Sequence, residues 1–135
     1  MKAAVRYFTR SGNTKKLAQA IAQGAGVEAL EMKEGLKEDV DILFIGSSVY
    51  ATGVDDEVKK FVAGIDVKVG KAVNFSTAAI AKSTSKQVKK LLDAKGIELD
   101  KDEFYCRGSF GPLHRGKPDE ADLARARSFA ESIVK

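Results

Sequence analysis

Six consecutive residues near the start of the chain have the chemistry of an anion-binding loop. The segment Thr9-Arg10-Ser11-Gly12-Asn13-Thr14 joins an apolar run, residues 3–8, to a helical pattern that begins at Lys15. Hydroxyl and amide side chains can donate hydrogen bonds, and a glycine lets backbone N–H groups approach an anion at a helix N-terminus. The segment therefore predicts a phosphate-binding site.

Two further segments of small and polar residues follow short apolar runs. Gly46-Ser47-Ser48-Val49-Tyr50-Ala51-Thr52-Gly53 comes after Val40–Ile45, and Ser76-Thr77-Ala78-Ala79 comes after Lys71–Phe75. Strands that end in small residues leave room for a ligand. Taken alone, the first of these segments is more typical of a plain turn before a helix.

Strands and helices alternate along the chain, and their order predicts the fold. Continuous apolar runs predict five strands covered on both faces, at residues 3–8, 27–32, 40–45, 71–75 and 104–106. Four helical patterns lie between and after them. This order predicts an α/β fold with a doubly wound five-stranded parallel sheet, because right-handed crossovers place helices on both faces. Ligands of such sheets bind at the carboxyl ends of the strands.

Capping residues mark the ends of the predicted helices. Asp55 and Asp56 precede the stripe of the second helix, and Thr84 with Gln87 has the spacing of a capping box for the third, which ends at Gly96. The last helix opens at Pro118-Asp119-Glu120. Gly24-Ala25-Gly26-Val27-Glu28-Ala29 matches a dinucleotide-binding string, but it ends a helix instead of starting one, so it predicts a C-cap and turn.

Composition excludes several classes of protein. The 135 residues suit a single domain, 1–135, and no apolar run approaches the roughly 18 residues of a membrane-spanning helix. The order of residues after Met1 is not that of a secretory signal, so we expect a cytoplasmic protein. A single cysteine, Cys106, and a single histidine, His114, exclude an internal disulfide and a His/Cys metal cluster. We expect Cys106 to be buried and His114 to be exposed, and any redox chemistry to come from a cofactor.

The positive charge is concentrated in the second half of the chain. The net charge is +4, with −1 in residues 1–67 and +5 in residues 68–135. The positive charge of this half would attract an acidic partner or nucleic acid. A run of basic residues along a helix is, however, more typical of a solvated helix face. We expect a monomer that binds neither nucleic acid nor a membrane. The basic residues concerned are Lys82, Lys86, Lys89, Lys90, Lys95, Arg107, Arg115 and Lys117.

Seven residues in and around the first segment match a known family pattern: Val5, Tyr7, Thr9, Gly12, Thr14, Ala18 and Ile21. On these residues the chain resembles the flavodoxins. The resemblance implies a sheet of strand order 2-1-3-4-5 with FMN at the switch point of the order. Arg6 departs from the pattern, and two interpretations stay open: its stem lies along the sheet, or its guanidinium meets a carboxylate.

The resemblance also implies roles for the three polar segments. The resemblance implies that the first segment, residues 9–14, binds the FMN phosphate. It implies that Tyr50 of the second segment stacks on the flavin ring and that the third segment, residues 76–79, contacts the edge of the ring. Arg10 either adds a charge contact or points to solvent. No catalytic residue and no metal ligand is predicted. The predicted cofactor-binding residues are Thr9, Arg10, Ser11, Gly12, Asn13, Thr14, Ser47, Ser48, Val49, Tyr50, Ala51, Thr52, Gly53, Ser76, Thr77, Ala78 and Ala79.

The C-terminal part is similar to a short-chain bacterial flavodoxin-like group. We therefore predict an FMN-binding electron carrier that serves redox partner proteins, acidic ones being favoured by the charge. Two alternatives stay open: an FMN-dependent quinone or porphyrinogen oxidoreductase of the same fold, and a phosphate-binding module without flavin. The residues that carry this similarity are Phe104, Cys106, Gly108, Gly111-Pro112, Gly116-Lys117-Pro118-Asp119-Glu120 and Asp122-Leu123.

Overall fold

The computed structural model of the chain describes residues 2–10, 12–48, 55–78, 84–107, 116 and 118–135, and of Ala78 and Arg107 only the backbone. Within these residues, five strands and four α-helices alternate. They are β1 (Ala3–Tyr7), α1 (Asn13–Ala25), β2 (Ala29–Glu31), β3 (Val40–Ser48), α2 (Asp56–Ala63), β4 (Val69–Ala78), α3 (Ser85–Asp93), β5 (Phe104–Arg107) and α4 (Glu120–Val134).

All five described strands pair in parallel, in the order β2-β1-β3-β4-β5. The predicted doubly wound sheet and its strand order are therefore confirmed. Val5 of β1 lies between Ala29 of β2 and Phe44 of β3. The strand order reverses between β1 and β3, so the switch point lies at the carboxyl ends of these two strands.

Two apolar layers cover the sheet, one on each face. Side chains of β3 alternate between them, because successive residues of a strand point to opposite faces. Ile42 and Phe44 pack with α1 and α4, whereas Leu43 and Ile45 pack with α2 and α3. All four are almost fully buried. Each contributes about 1.5–3 kcal/mol relative to exposure, so the central strand is held firmly from both faces.

Two glycines permit close approaches that a side chain would prevent. A Cβ built on Gly46 would lie 2.0 Å from a ring carbon of Phe75, and one built on Gly24 would lie 2.2 Å from the carbonyl oxygen of Arg127. Gly46 therefore makes space for the Phe75 ring under β3. Gly24 lets α1 lie directly against α4.

Three of the predicted caps are confirmed, and Gly96, predicted to end α3, follows the last helical residue Asp93 by three residues in a left-handed conformation. Asp55 accepts a hydrogen bond from the N–H of Glu57, and Gly26 ends α1 in a left-handed conformation. Asp119 and Asp122 form a capping box at α4. The predicted Thr84–Gln87 capping box is wrong: the Thr84 hydroxyl makes no cap bond to α3. Its oxygen accepts instead from Asn74, 3.0 Å away.

Several boundaries differ from the sequence prediction. Residues 46–48 and 76–78 were predicted as loops, but they extend β3 and β4, because the two strands remain paired through Ser48 and Thr77. Backbone pairing does not require apolar side chains. The strand predicted at residues 27–32 is only Ala29–Glu31, followed by a 3-10 turn. In the described part of the chain, no helix is long and apolar enough to cross a membrane.

Candidate functional site

Three hydroxyl groups meet where α1 begins beside the carboxyl ends of β3 and β4. The Thr14 hydroxyl oxygen lies 2.6 Å from that of Ser48 and 2.9 Å from that of Thr77, and the latter two are 3.1 Å apart. We call these three residues the hydroxyl triangle. Ser48 and Thr77 are register partners on neighbouring strands. Their side chains point to the α1 face, so pairing of the strands brings them beneath the helix.

The start of α1 is shaped to leave its first N–H groups uncovered by a cap side chain. Gly12 is the N-cap residue, in a left-handed conformation with φ of 90°. The Thr9 hydroxyl accepts a hydrogen bond from the N–H of Gly12 at 2.9 Å, which closes the turn into the helix. A glycine cap has no side-chain oxygen to bond the first turn. An anion placed here would meet the positive end of the helix dipole.

The structure describes every residue of the predicted first segment except Ser11. The structure brings Thr9, Gly12, Asn13 and Thr14 together at the start of α1, with Asn13 and Thr14 buried. Seven predicted site residues lie outside the described part of the chain: Ser11, Val49, Tyr50, Ala51, Thr52, Gly53 and Ala79. For Ala78, the structure shows only that its backbone ends β4.

Ser47 and Ser76 lie on the opposite face of the sheet from the hydroxyl triangle. The Ser47 hydroxyl donates to the Thr84 hydroxyl at 3.0 Å, and the Asn74 amide donates to the same oxygen at 3.0 Å. All of these side chains are almost fully buried. The Ser76 hydroxyl is buried without a hydrogen-bond partner. This network ties the start of α3 to β3 and β4.

Asn74 and Thr84 were not predicted at this edge of the sheet. A signal for Asn74 was present, because it is a polar residue inside the apolar run 71–75. A buried amide must be hydrogen-bonded, so its presence in a central strand indicates a polar partner nearby. No sequence signal distinguishes Thr84 as that partner, because its spacing to Gln87 is equally that of a cap.

An ion pair joins the first predicted segment to α2. The Arg10 Nε atom donates to the Asp55 Oδ2 atom at 2.7 Å, and a terminal nitrogen of the guanidinium contacts the same oxygen. The hydrogen bond from the backbone N–H of Glu57 is the main cause that holds the pKa of Asp55 below its usual value, and Arg10 adds to this while burial opposes it. The Arg10 guanidinium therefore makes a charge contact with Asp55, and a contact with a phosphate stays a prediction.

Arg6 and Cys106 are the remaining residues singled out from the sequence that the structure describes. Arg6 is half-buried and donates to two backbone carbonyls, that of Gly35 at 2.8 Å and that of Val5 at 3.0 Å. Burial lowers the pKa of the Arg6 guanidinium, and the charge of Glu34 opposes that shift. Cys106 is buried in the layer beside α1 and α4, as predicted. His114 lies outside the described residues.

Comparison with known proteins identifies the family. The model of the flavodoxin domain matches residues 4–110. The chain belongs to the flavodoxin family. It is also 31% identical to an uncharacterised protein of Methanocaldococcus jannaschii, in an alignment that covers 100% of this chain and 99% of the relative. The family predicted from the sequence is therefore confirmed.

Solved flavodoxin structures share the fold along nearly the whole chain. A flavodoxin from the domain Archaea superposes with a TM-score of 0.76 at 19% identity, covering 99% of this chain and 96% of that one. Oxidised flavodoxin 2 from Bacillus cereus superposes with a TM-score of 0.70 at 22% identity, covering 96% and 95%. At these identities the likeness shows the fold, whereas the site must be argued from its own residues.

The residues of this flavodoxin-family chain fit the phosphate end of a flavin nucleotide. The first turn of α1 offers N–H groups, and the hydroxyl triangle and Thr9 offer hydroxyl groups beside them. An anion needs donors of this kind, and charge-assisted bonds from neutral donors are stronger than bonds between neutral groups. The arrangement is suited to binding and orienting a phosphate, and membership of this family implies flavin binding in general.

Proposed function

We propose that the protein is a cytoplasmic electron carrier that binds FMN non-covalently. The observation that carries this proposal is the hydroxyl triangle at the start of α1, located at the carboxyl edge of the sheet beside the switch point. A phosphate at this position would be bonded by Thr9, Thr14 and the N–H groups of the first helical turn. These contacts neutralise no charge, so the helix dipole supplies the electrostatic contribution, about 0.3–1 kcal/mol.

Bound FMN would supply one-electron chemistry, and the chain would supply binding and orientation. In this proposal Ser48 and Thr77 act through Thr14: their hydroxyls fix its rotamer, so the Thr14 hydroxyl meets the phosphate in one orientation. Val49, Tyr50, Ala51, Thr52, Gly53 and Ala79 are proposed for the ring end on the basis of the family resemblance.

We place a carrier before an enzyme of the same fold on the basis of the family resemblance. The archaeal flavodoxin structure covers nearly all of this chain and is nearly all covered by it. A quinone- or porphyrinogen-oxidising enzyme would need a further substrate-binding segment inserted in this fold. The oxidoreductase and the phosphate-binding module without flavin are therefore the two alternatives that the test distinguishes from a carrier.

FMN titration of the purified chain tests the proposal. We expect uptake of FMN, seen as a shift of the flavin absorbance bands and as quenching of flavin fluorescence. Thr14→Val removes the hydroxyl while keeping the shape, and we expect it to weaken FMN binding about tenfold, equivalent to about 1.4 kcal/mol, while riboflavin binding changes little. Thr14→Ser, which retains the hydroxyl, is the matched control and should bind FMN nearly as the wild type does.

Three results would contradict the proposal. A chain that takes up neither flavin would favour the phosphate-binding module. Turnover of NAD(P)H with a quinone, in the absence of an added reductase, would favour the oxidoreductase. Equal loss of FMN and riboflavin binding in Thr14→Val would show that the hydroxyl does not act on the phosphate.

For partners, we propose an acidic redox protein that docks near the first turn of α3. Lys86, Lys89 and Lys90 of this helix are exposed, and Lys89 pairs with Asp93. Lys86 lies at the same edge of the sheet as the hydroxyl triangle, because α3 starts beyond the carboxyl end of β4. A cationic surface attracts anionic partners and accelerates their association at low salt. We propose that the carrier is a monomer that binds neither nucleic acid nor a membrane.

Small oxidants of opposite charge test the docking proposal without knowledge of the partner. Ferricyanide is anionic and hexaammineruthenium is cationic. We expect oxidation of the reduced, FMN-loaded chain by ferricyanide to slow as salt rises, and oxidation by the cationic reagent to accelerate. Lys86→Gln should reduce the salt dependence for ferricyanide. Rates that are insensitive to salt for both reagents would contradict the proposal.

A further inference from the structure

The ion pair between Arg10 and Asp55 connects two parts of the predicted site that are 45 residues apart in sequence. Arg10 lies inside the turn that the Thr9–Gly12 hydrogen bond closes, just before α1. Asp55 is the N-cap of α2 and directly follows residues 49–54. The pair therefore joins the segment proposed to hold the phosphate to the end of the segment proposed to hold the ring.

The Asp55 carboxylate is held at both of its oxygens. Oδ2 accepts from the Arg10 guanidinium through two nitrogens, and Oδ1 accepts from the backbone N–H of Glu57 at 3.1 Å. Its side chain is only 7% exposed, whereas that of Arg10 is 66% exposed. Most exposed ion pairs contribute little, but removing one partner of a buried carboxylate leaves its charge poorly compensated. The pair therefore joins an exposed guanidinium to a carboxylate that is held at both of its oxygens.

The direction of the guanidinium separates two roles for Arg10. A phosphate ligand would direct its donors to the N-terminus of α1, where the anion would be placed. In the structure, Nε and a terminal nitrogen are both directed to one carboxylate oxygen of the α2 cap. An arginine so engaged orients the elements that it joins, since its planar donors fix the geometry of the contact.

We propose that Arg10 is a positioning residue that, through Asp55, sets the spacing between the turn before α1 and the start of α2. This role rests on the proposed binding of FMN. It fixes the start of α2 at Asp55 relative to the turn at Gly12, and residues 49–54, proposed for the ring end, directly precede Asp55 in sequence. Loss of the pair would then impair binding of the flavin ring system, whether or not a phosphate is attached.

Parallel titrations with FMN and riboflavin test this role. We expect Arg10→Ala to weaken the binding of both ligands by a similar factor, about tenfold. Asp55→Asn, which keeps an N-cap oxygen, should do the same, because asparagine caps a helix as well as aspartate. The double variant should bind no more weakly than the weaker single variant. Arg10→Lys should recover part of the loss, since it keeps the charge but not the two-nitrogen contact.

Lys15→Ala is the matched control, because Lys15 is an exposed cation in the first turn of α1. It should leave riboflavin binding unchanged. Loss of FMN binding alone in Arg10→Ala would overturn the proposal and make Arg10 a phosphate ligand. Unchanged binding of both flavins in Arg10→Ala and Asp55→Asn would also overturn it.

A readout without flavin keeps this inference distinct from the proposed function. In the chain without FMN, the same two variants and their double form a thermal-unfolding cycle. We expect their destabilisations to be non-additive, because each single change already removes the pair. Additive destabilisation would show that Arg10 and Asp55 are not coupled, and it would overturn the inference. A wild-type chain that binds neither flavin would instead overturn the proposed function, and the positioning role with it, while the cycle still reported a coupled pair.

Discussion

Gly46→Ala inserts one methyl group where β3 lies against the ring of Phe75. A Cβ at this position would lie 2.0, 2.1 and 2.7 Å from three ring carbons of Phe75. Carbon atoms in contact are about 3.5–4.0 Å apart, so the ring or the strand would have to withdraw by about 1.5 Å. Gly46 precedes Ser47 and Ser48, and a shift of the strand would therefore move the hydroxyl triangle as well.

The surroundings of Phe75 leave little room for that withdrawal. Its side chain is 0% exposed and packs in the layer beside α1 and α4. Protein interiors contain few voids that could accept a displaced ring. Overpacking by a single group costs about 1–3 kcal/mol, and because the methyl would overlap the ring directly, we expect about 3 kcal/mol. For a chain of this size, that loss corresponds to a Tm about 10 °C lower.

Urea and thermal unfolding of four variants would measure this cost: Gly46→Ala, Gly64→Ala, Phe75→Leu and the double variant Phe75→Leu/Gly46→Ala. Gly64→Ala is the control, because Gly64 is exposed, its φ is −85° and its nearest contact would be the Lys60 carbonyl oxygen at 3.3 Å. It should lie within about 0.5 kcal/mol of the wild type. In a Phe75→Leu background, Gly46→Ala should cost less than about 1 kcal/mol, since the ring is gone. The same cost in both backgrounds would refute the steric reasoning.

Three further predictions concern stability. Gly24→Ala should destabilise by about 2 kcal/mol, although alanine favours helices by about 1 kcal/mol, because the new Cβ would lie 2.2 Å from the Arg127 carbonyl oxygen; a more stable variant in urea unfolding would contradict this. Asp119→Ala should cost about 1 kcal/mol by removing the α4 cap, whereas Asp119→Asn should be nearly neutral by thermal unfolding. The Lys71 ammonium, 2.7 Å away, is the main cause that lowers the pKa of Asp100. The pair should therefore stabilise the chain above about pH 3.8, the value for an unfolded aspartate, and lose this contribution as pH falls through the lowered pKa. Urea unfolding of Lys71→Met should show a smaller dependence on acid than the wild type does, and an equal dependence would contradict the assignment.

Local signals predicted the elements well where the deciding contacts lie within a few residues. The Asp55 and Asp119 caps bond N–H groups two and three residues ahead, and Gly26 adopts its left-handed conformation at the end of its own helix. Short apolar runs likewise predicted the alternation of strands and helices. Such features depend on neighbours in sequence, so their residue types were enough to identify them.

Signals of the same kind failed where a distant group competed for the side chain. Thr84 has the spacing of a capping residue, but its hydroxyl bonds Ser47 and Asn74 across the layer. Ser48 and Thr77 are residue types typical of loops, yet they extend paired strands. In each case a tertiary contact replaced the local preference, which is the expected outcome when the alternative partner is buried.

The sequence by itself determined the alternation of strands and helices, most helix ends, and the segment that begins the candidate site. Only the tertiary structure decided how that segment is held: Thr14 meets Ser48 and Thr77 from 34 and 63 residues away, and Arg10 meets Asp55 from 45 residues away. The physical reason is that these bonds depend on the register of parallel strands and on the approach of α1 to the sheet. Both are set by burial of the two apolar layers, which no short stretch of sequence contains.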